Sequence, residues 1–142
     1  MANNKWRIKE AVKIAEEAAL KALRTGAEAI LTEAIDEAPV DTGTLRRSGT
    51  VTVGKLPDGA RVFEAAEAGN EMKDAFQKKI GKEKAVYISF NTPYARRQHE
   101  ELGYEHPRGG KAKYLEDPFR LLKQKVLKMA ELKIKKALRN AD

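Results

Sequence analysis

Between residues 99 and 106 lie His99, Glu100, Glu101, Glu105 and His106, the only cluster in the chain whose side chains have metal-ligand chemistry. A metal centre needs its ligands at fixed spacing on a helix or turn, and this set matches no standard pattern. It is not HExxH, and neither histidine has a partner four residues on. The competing reading is a polar surface segment, with Glu100 or Glu101 paired to Arg96 or Arg97. Nucleophilic chemistry has less to build on. Ser48 and Ser89 are the only serines, and there is no cysteine. Neither serine sits in a G-x-S-x-G turn. The glutamates of the first helix face water by periodicity, so no two carboxylates are brought together for acid–base work. Arg108-Gly109-Gly110-Lys111 is short for a phosphate-binding loop and follows no strand. The residues point to no enzyme, no metal and no cofactor.

Basic side chains carry the other chemistry. The formal charge is +7, and it is uneven: residues 118–142 hold eight basic and two acidic side chains, which leaves +6 there. Lys123, Lys125 and Lys128 lie in that segment, followed by Lys133, Lys135 and Lys136. Arg46-Arg47 and Arg96-Arg97 add paired guanidinium groups that suit phosphate. One reading of the lysines is a solvated helix face; the other is a surface for DNA or an acidic protein. No helix-turn-helix, zinc or RNA-recognition motif accompanies them, so the nucleic-acid reading is loose contact with a phosphate backbone, without sequence specificity.

The elements that must position these groups follow from periodicity. Residues 5–37 read as one long helix. Ile8, Val12, Ala15, Ala19, Leu23, Ala27, Ile30 and Ala34 form one apolar stripe at three- and four-residue spacing. Its small side chains allow close approach by a neighbour, and Gly26 lies mid-pattern, where it weakens or kinks the helix by about 1 kcal/mol against alanine. Trp6 reads as an anchor at the helix start. Pro39 ends the helix, and Asp41, Thr42 and Gly43 supply turn chemistry. Thr50–Val53 alternates as a strand. Leu56-Pro57-Asp58-Gly59 is a turn signal, and Arg61-Val62-Phe63 resumes a strand, which predicts a hairpin over 49–65. An excursion follows over 65–84, with a short helix at 70–81 capped by Asn70, or a flap that orders only in an assembly. Ala85–Phe90 is the clearest strand, apolar enough to be central. Tyr94–Leu102 reads as a helical turn or two, and 103–113 as an exposed loop. Asp117 as N-cap and Pro118 at the first helical position open a basic amphipathic helix over 118–140.

Together these predict an α+β fold: one small antiparallel or mixed sheet packed against a long N-terminal helix and a C-terminal helix. At 142 residues the chain reads as a single domain, 1–142, with a modest core built from Ala, Leu, Ile and Val, because aromatics are only 6%. No signal peptide is visible and no run approaches a membrane span, so the expected setting is the cytoplasm or a particle assembled there.

Three segments also carry a resemblance. They are Ala38-Pro39-Val40-Asp41-Thr42-Gly43-Thr44-Leu45-Arg46-Arg47-Ser48, Pro93-Tyr94-Ala95 with His99-Glu100 and Gly103, and Gly110-Lys111-Ala112-Lys113-Tyr114-Leu115-Glu116-Asp117-Pro118. In this order, with the long first helix, the chain resembles the HK97 gp10-like family of tailed-phage neck proteins. The 65–84 excursion is longer than a minimal member needs. The resemblance implies a non-enzymatic virion protein of the neck (minor capsid, head–tail joining or tail-completion). It implies a homo-oligomeric ring, a hexamer, assembled in the bacterial host cytoplasm. The implied partners are other copies, the connector or stopper, the tail terminator or tail tube, and passing phage DNA, with no membrane. It makes Arg46, Arg47, Arg96, Arg97 and the loop 103–113, with Arg108, Lys111 and Lys113, candidate interface or DNA-channel residues beside Lys123, Lys125 and Lys128; ordinary surface charge is the competing reading. A small basic DNA-binding protein without sequence specificity is the alternative function.

Overall fold

The computed structural model describes residues 2–40, 43–71, 82–106 and 109–141. Asp41, Thr42 and Arg108, the side chain of Trp6 and most of the expected 70–81 helix lie outside them.

Helix α1 spans Ala2–Glu37. Alanine, glutamate, lysine and leucine dominate it, and no proline interrupts it before Pro39. The short helix α2, Thr44–Arg47, leads into strand β1, Gly49–Val53. Helix α3 is Gly59–Glu67, strand β2 is Val86–Phe90, and helix α4 is Ala95–Glu100. Helix α5, Glu116–Asn140, closes the described chain. The architecture is α+β: two long helices packed with a small antiparallel sheet.

α5 runs back along α1. The Lys111 N–H, just ahead of α5, donates to Glu37 O at the end of α1, and Val126 lies against Gly26 further in. A Cβ at Gly26 would stand 2.3 Å from Val126 Cγ1. The glycine therefore brings the two backbones together, and the helix-propensity cost of about 1 kcal/mol is the cost of that approach. The apolar stripe of α1 is half-buried at Leu23 and buried at Ala27, Ile30 and Ala34, but Ile8 and Val12 at its N-terminal end stay in water.

β1 pairs only with β2 among the described residues, from Gly49↔Phe90 to Val53↔Val86. Val51 packs on Ala27 and Leu31, with half-buried Ile35, Val86, Ile88 and Phe90 around them. β1 is buried at every position and β2 is half-buried at every position, so β2 is an outer strand, not a central one. At one end the Gly54 N–H donates to Ala85 O, and at the other Asn91 Nδ2 donates to Ser48 O, 2.8 and 2.9 Å.

The expected 49–65 hairpin is not formed. Arg61, Val62 and Phe63 lie in α3, and the partner of β1 comes from much later in the chain. Three residues cannot separate a period of two from one of 3.6. The decisive signal is Asp58, whose side chain accepts the Arg61 N–H at 3.3 Å and caps the helix, and Val62 and Ala66 bury one face four residues apart. α5 also starts earlier than Asp117 predicts: Leu115 is at the cap with no side-chain bond, and Pro118 is buried in the first turn. Proline is tolerated there because first-turn N–H groups have no partner within the helix.

Candidate functional site

The three signature segments meet around Tyr114. Its ring is 2% exposed and packs with Ala38, Leu45 and Ala95 in one buried cluster. Phe90 and His99 stand edge-on to it, with ring centroids 5.0 and 5.1 Å away. The buried hydroxyl donates to Ala95 O at 2.8 Å, so the one polar atom of the ring is satisfied. Burial pushes its pKa up, with the nearby Tyr94 adding to the shift.

His99 joins the second segment to the third. Its Nε2 accepts the Glu116 N–H at 3.2 Å, which leaves the ring proton on Nδ1, facing Glu100 Oε1 at 2.7 Å. The His99 carbonyl accepts the Lys113 N–H at 2.8 Å. Lys113 is the one non-glycine residue at positive φ among those described, at 57°. Its ammonium reaches Glu100 at 2.5 Å and Glu116 at 3.3 Å. The Lys113 hydrogen bond, then that of His99, holds the Glu100 carboxyl below the usual range, and Glu100 raises Lys113 in turn.

The first segment is tied in by backbone. The Val40 N–H donates to Gly109 O at 3.1 Å, and the Lys111 N–H to Glu37 O at 2.8 Å. Gly110, at φ +89°, lies so close that a Cβ would stand 2.4 Å from Ala38 O. Only glycine combines that conformation with that approach. The Lys111 ammonium bridges Asp117 at 2.8 Å and Glu37 at 3.6 Å. This pairing lowers Asp117 and raises Lys111.

The adjacent arginines act on helix ends. Arg46 Nε donates to Ala38 O at 2.8 Å and its Nη2 to Asp36 O at 2.9 Å, at the C-terminus of α1. Arg47 Nε donates to Ala66 O at 2.8 Å, near the end of α3. The last carbonyls of a helix lack internal partners and carry its negative pole, which a guanidinium complements. Arg46, Arg47, Lys111 and Lys113 thus all make contacts within the subunit. Arg96 and Arg97 are exposed and line an open groove with Pro93, Tyr94, Glu100 and Glu101. Lys123, Lys125 and Lys128 are exposed on α5, far along the chain from that groove.

The residues weighed for catalysis have structural partners. The Ser48 hydroxyl is buried, donates to Leu45 O at 2.7 Å and accepts the Asn91 N–H at 3.1 Å. Ser89 Oγ accepts from Asn91 Nδ2 at 3.2 Å. Among the described residues, no group of three or more His, Asp or Glu side chains could hold a metal ion. Sequence reasoning missed Tyr114 and Asn91 as organising residues. The signal for Tyr114 was an aromatic amid lysines and glycines, in a loop that otherwise reads as solvated.

No helix among the described residues is long and apolar enough to cross a membrane. No significant match was found among curated proteins or solved structures. Residues 5–117 match the family model described as "Bacteriophage HK97-gp10, putative tail-component". That match takes in the first two segments that converge on Tyr114 and the third up to Asp117, and the family is one of structural phage components, not of enzymes. The chain belongs to the HK97 gp10-like family and has a structural role in a phage virion.

Proposed function

We propose that the protein forms a ring, a hexamer, in the neck of a tailed phage, completing the tail and joining it to the connector below the head. The observation that carries this reading is the unfinished stripe of α1. Ile8 is 65% exposed and Val12 51%, although both continue the row that is buried at Ala27, Ile30 and Ala34. A packed subunit that leaves one end of its main apolar row in water is completed by a neighbour. Cyclic repetition of one such contact yields a ring. The rigid knot around Tyr114 fits a subunit whose neighbours, not ligands, complete it.

The contact residues of this reading are Arg96, Arg97, Lys123, Lys125 and Lys128, whose charges point outward. They would meet other copies, the connector or stopper, the tail terminator or tail tube, or DNA crossing the ring. Assembly would occur in the host cytoplasm before the particle is released. Electron microscopy of particles from a phage or prophage lacking the gene tests the role. Filled heads beside finished, detached tails are expected. Normal infectious virions would remove the neck reading.

A further inference from the structure

Leu121 and Leu102 are the two most exposed large apolar side chains described, at 81% and 76%. Their surroundings have opposite charge. Leu121 begins a straight row along α5: Leu121, Lys125, Lys128, Leu132, Lys136 and Arg139, every one exposed. The spacing of four, three, four, four and three puts them on one face of a helix. That face is set apart from the Val126 row that meets Gly26. No ion pair to these four cations occurs among the described residues, whereas Lys135 nearby is paired with Glu131. Leu102 lies in Glu101-Leu102-Gly103-Tyr104-Glu105, exposed throughout. The loop is turned by the Tyr104 N–H on Glu101 O, and nothing lies within 4 Å of a Cβ at Gly103.

From this complementarity we infer that the Glu101–Glu105 loop of one copy docks on the Leu121–Arg139 row of a second copy. It rests on the ring reading and adds a contact between copies to the one at the free end of α1. The fit is chemical. Leu121 and Leu132 are about 16 Å apart along the helix, at 1.5 Å per residue. Leu102 or Tyr104 would lie on one leucine of the row while Glu101 and Glu105 meet the cations beside it. Two different patches in contact make a head-to-tail interface, the kind that closes into rings. A phosphate backbone would match the cations of the row but gain nothing from its leucines.

Charge reversal tests this. Glu101→Lys with Glu105→Lys makes one variant, and Lys125→Glu with Lys128→Glu makes the other. Both sets are exposed, so circular dichroism should show native helicity. Sedimentation across concentration should show the wild type associating, each variant alone losing association, and their equimolar mixture regaining it. Variants that associate like the wild type, or a mixture of folded variants that stays dissociated, would overturn the contact while leaving the ring reading intact. A wild type that stays monomeric at every concentration would count against both. Retention of duplex DNA that is lost in the lysine variant, with self-association unchanged, would assign the row to nucleic acid and overturn the proposal.

Discussion

Tyr114 ties one hydroxyl to one backbone carbonyl at the point where three distant segments cross. Tyr114→Phe keeps the ring and leaves Ala95 O without that donor. Such a buried, unpaired carbonyl costs about 1–3 kcal/mol, so urea unfolding should show a loss of that order with an unchanged slope. The ion pairs around it give the fold a pH signature. Glu100 lies below its usual 4.5 and Asp117 below its usual 3.8, through Lys113 and Lys111. A carboxylate depressed in the folded state stabilises fully above its unfolded value and loses that contribution as pH falls through the folded one. Lys111 and Lys113 are raised above 10.5, so their contribution is full below that value and lost as pH rises past the folded one. Melting temperature should therefore fall on both sides of the plateau. Glu100→Gln with Asp117→Asn should lower the plateau and flatten the acid limb. None of this network is legible from spacing. His99, Lys113 and Glu116 are near in space because the Lys113 N–H bonds back to the His99 carbonyl, and periodicity does not register such a return. The residue types have metal-ligand chemistry without a metal-site spacing, and the Glu116 N–H occupies the lone pair that a metal at Nε2 would need.

At the scale of elements, long periodic runs were readable, and of the short ones Thr50–Val53, Ala85–Phe90 and Tyr94–Leu102 were read as they fold while Arg61–Phe63 was not. α1 and α5 repeat an apolar row over many turns, which only a helix explains. Arg61-Val62-Phe63 offered three residues, and the tertiary partner of β1 decided the outcome: β2, rich in Val, Ile and aromatic side chains, took the ladder position that the hairpin reading gave to α3. Gly26 was legible as a weak point in α1 but not as a contact, because the contact lies a hundred residues away at Val126. Its role can be measured. Gly26→Ala gains about 1 kcal/mol of helix propensity, but its methyl meets both methyls and the Cβ of Val126 within 3.1 Å. Valine is branched at that Cβ and cannot swing aside, so overpacking of about 1–3 kcal/mol outweighs the gain. Gly26→Ala alone should destabilise. In a Val126→Ala background the same change should stabilise, so the thermal double-mutant cycle should show coupling of opposite sign to the single effect.

For the whole molecule, the uneven charge and the unfinished apolar stripe support the proposed function, and both were present in the amino-acid order. The sequence marked Ile8 and Val12 as members of the α1 row, but periodicity cannot tell where the covering partner ends. α5 reaches Val126 opposite Gly26 and stops at Asn140, which leaves the first turns of α1 beyond most of its length. The consequence separates folding from assembly. Because Ile8 and Val12 are already more than half in water, Ile8→Ser with Val12→Ser should change unfolding free energy by no more than about 0.5 kcal/mol. Ala27 and Leu31 sit in the same helix but inside the core, and Leu31→Ala should cost about 2–5 kcal/mol. If the free end of the stripe is an intersubunit surface, the serine pair should leave the melting temperature in place while failing to rescue a phage that lacks the gene. Rescue by the serine pair at wild-type titre would mean that the first turns of α1 are a solvated extension, and that neighbouring subunits meet elsewhere.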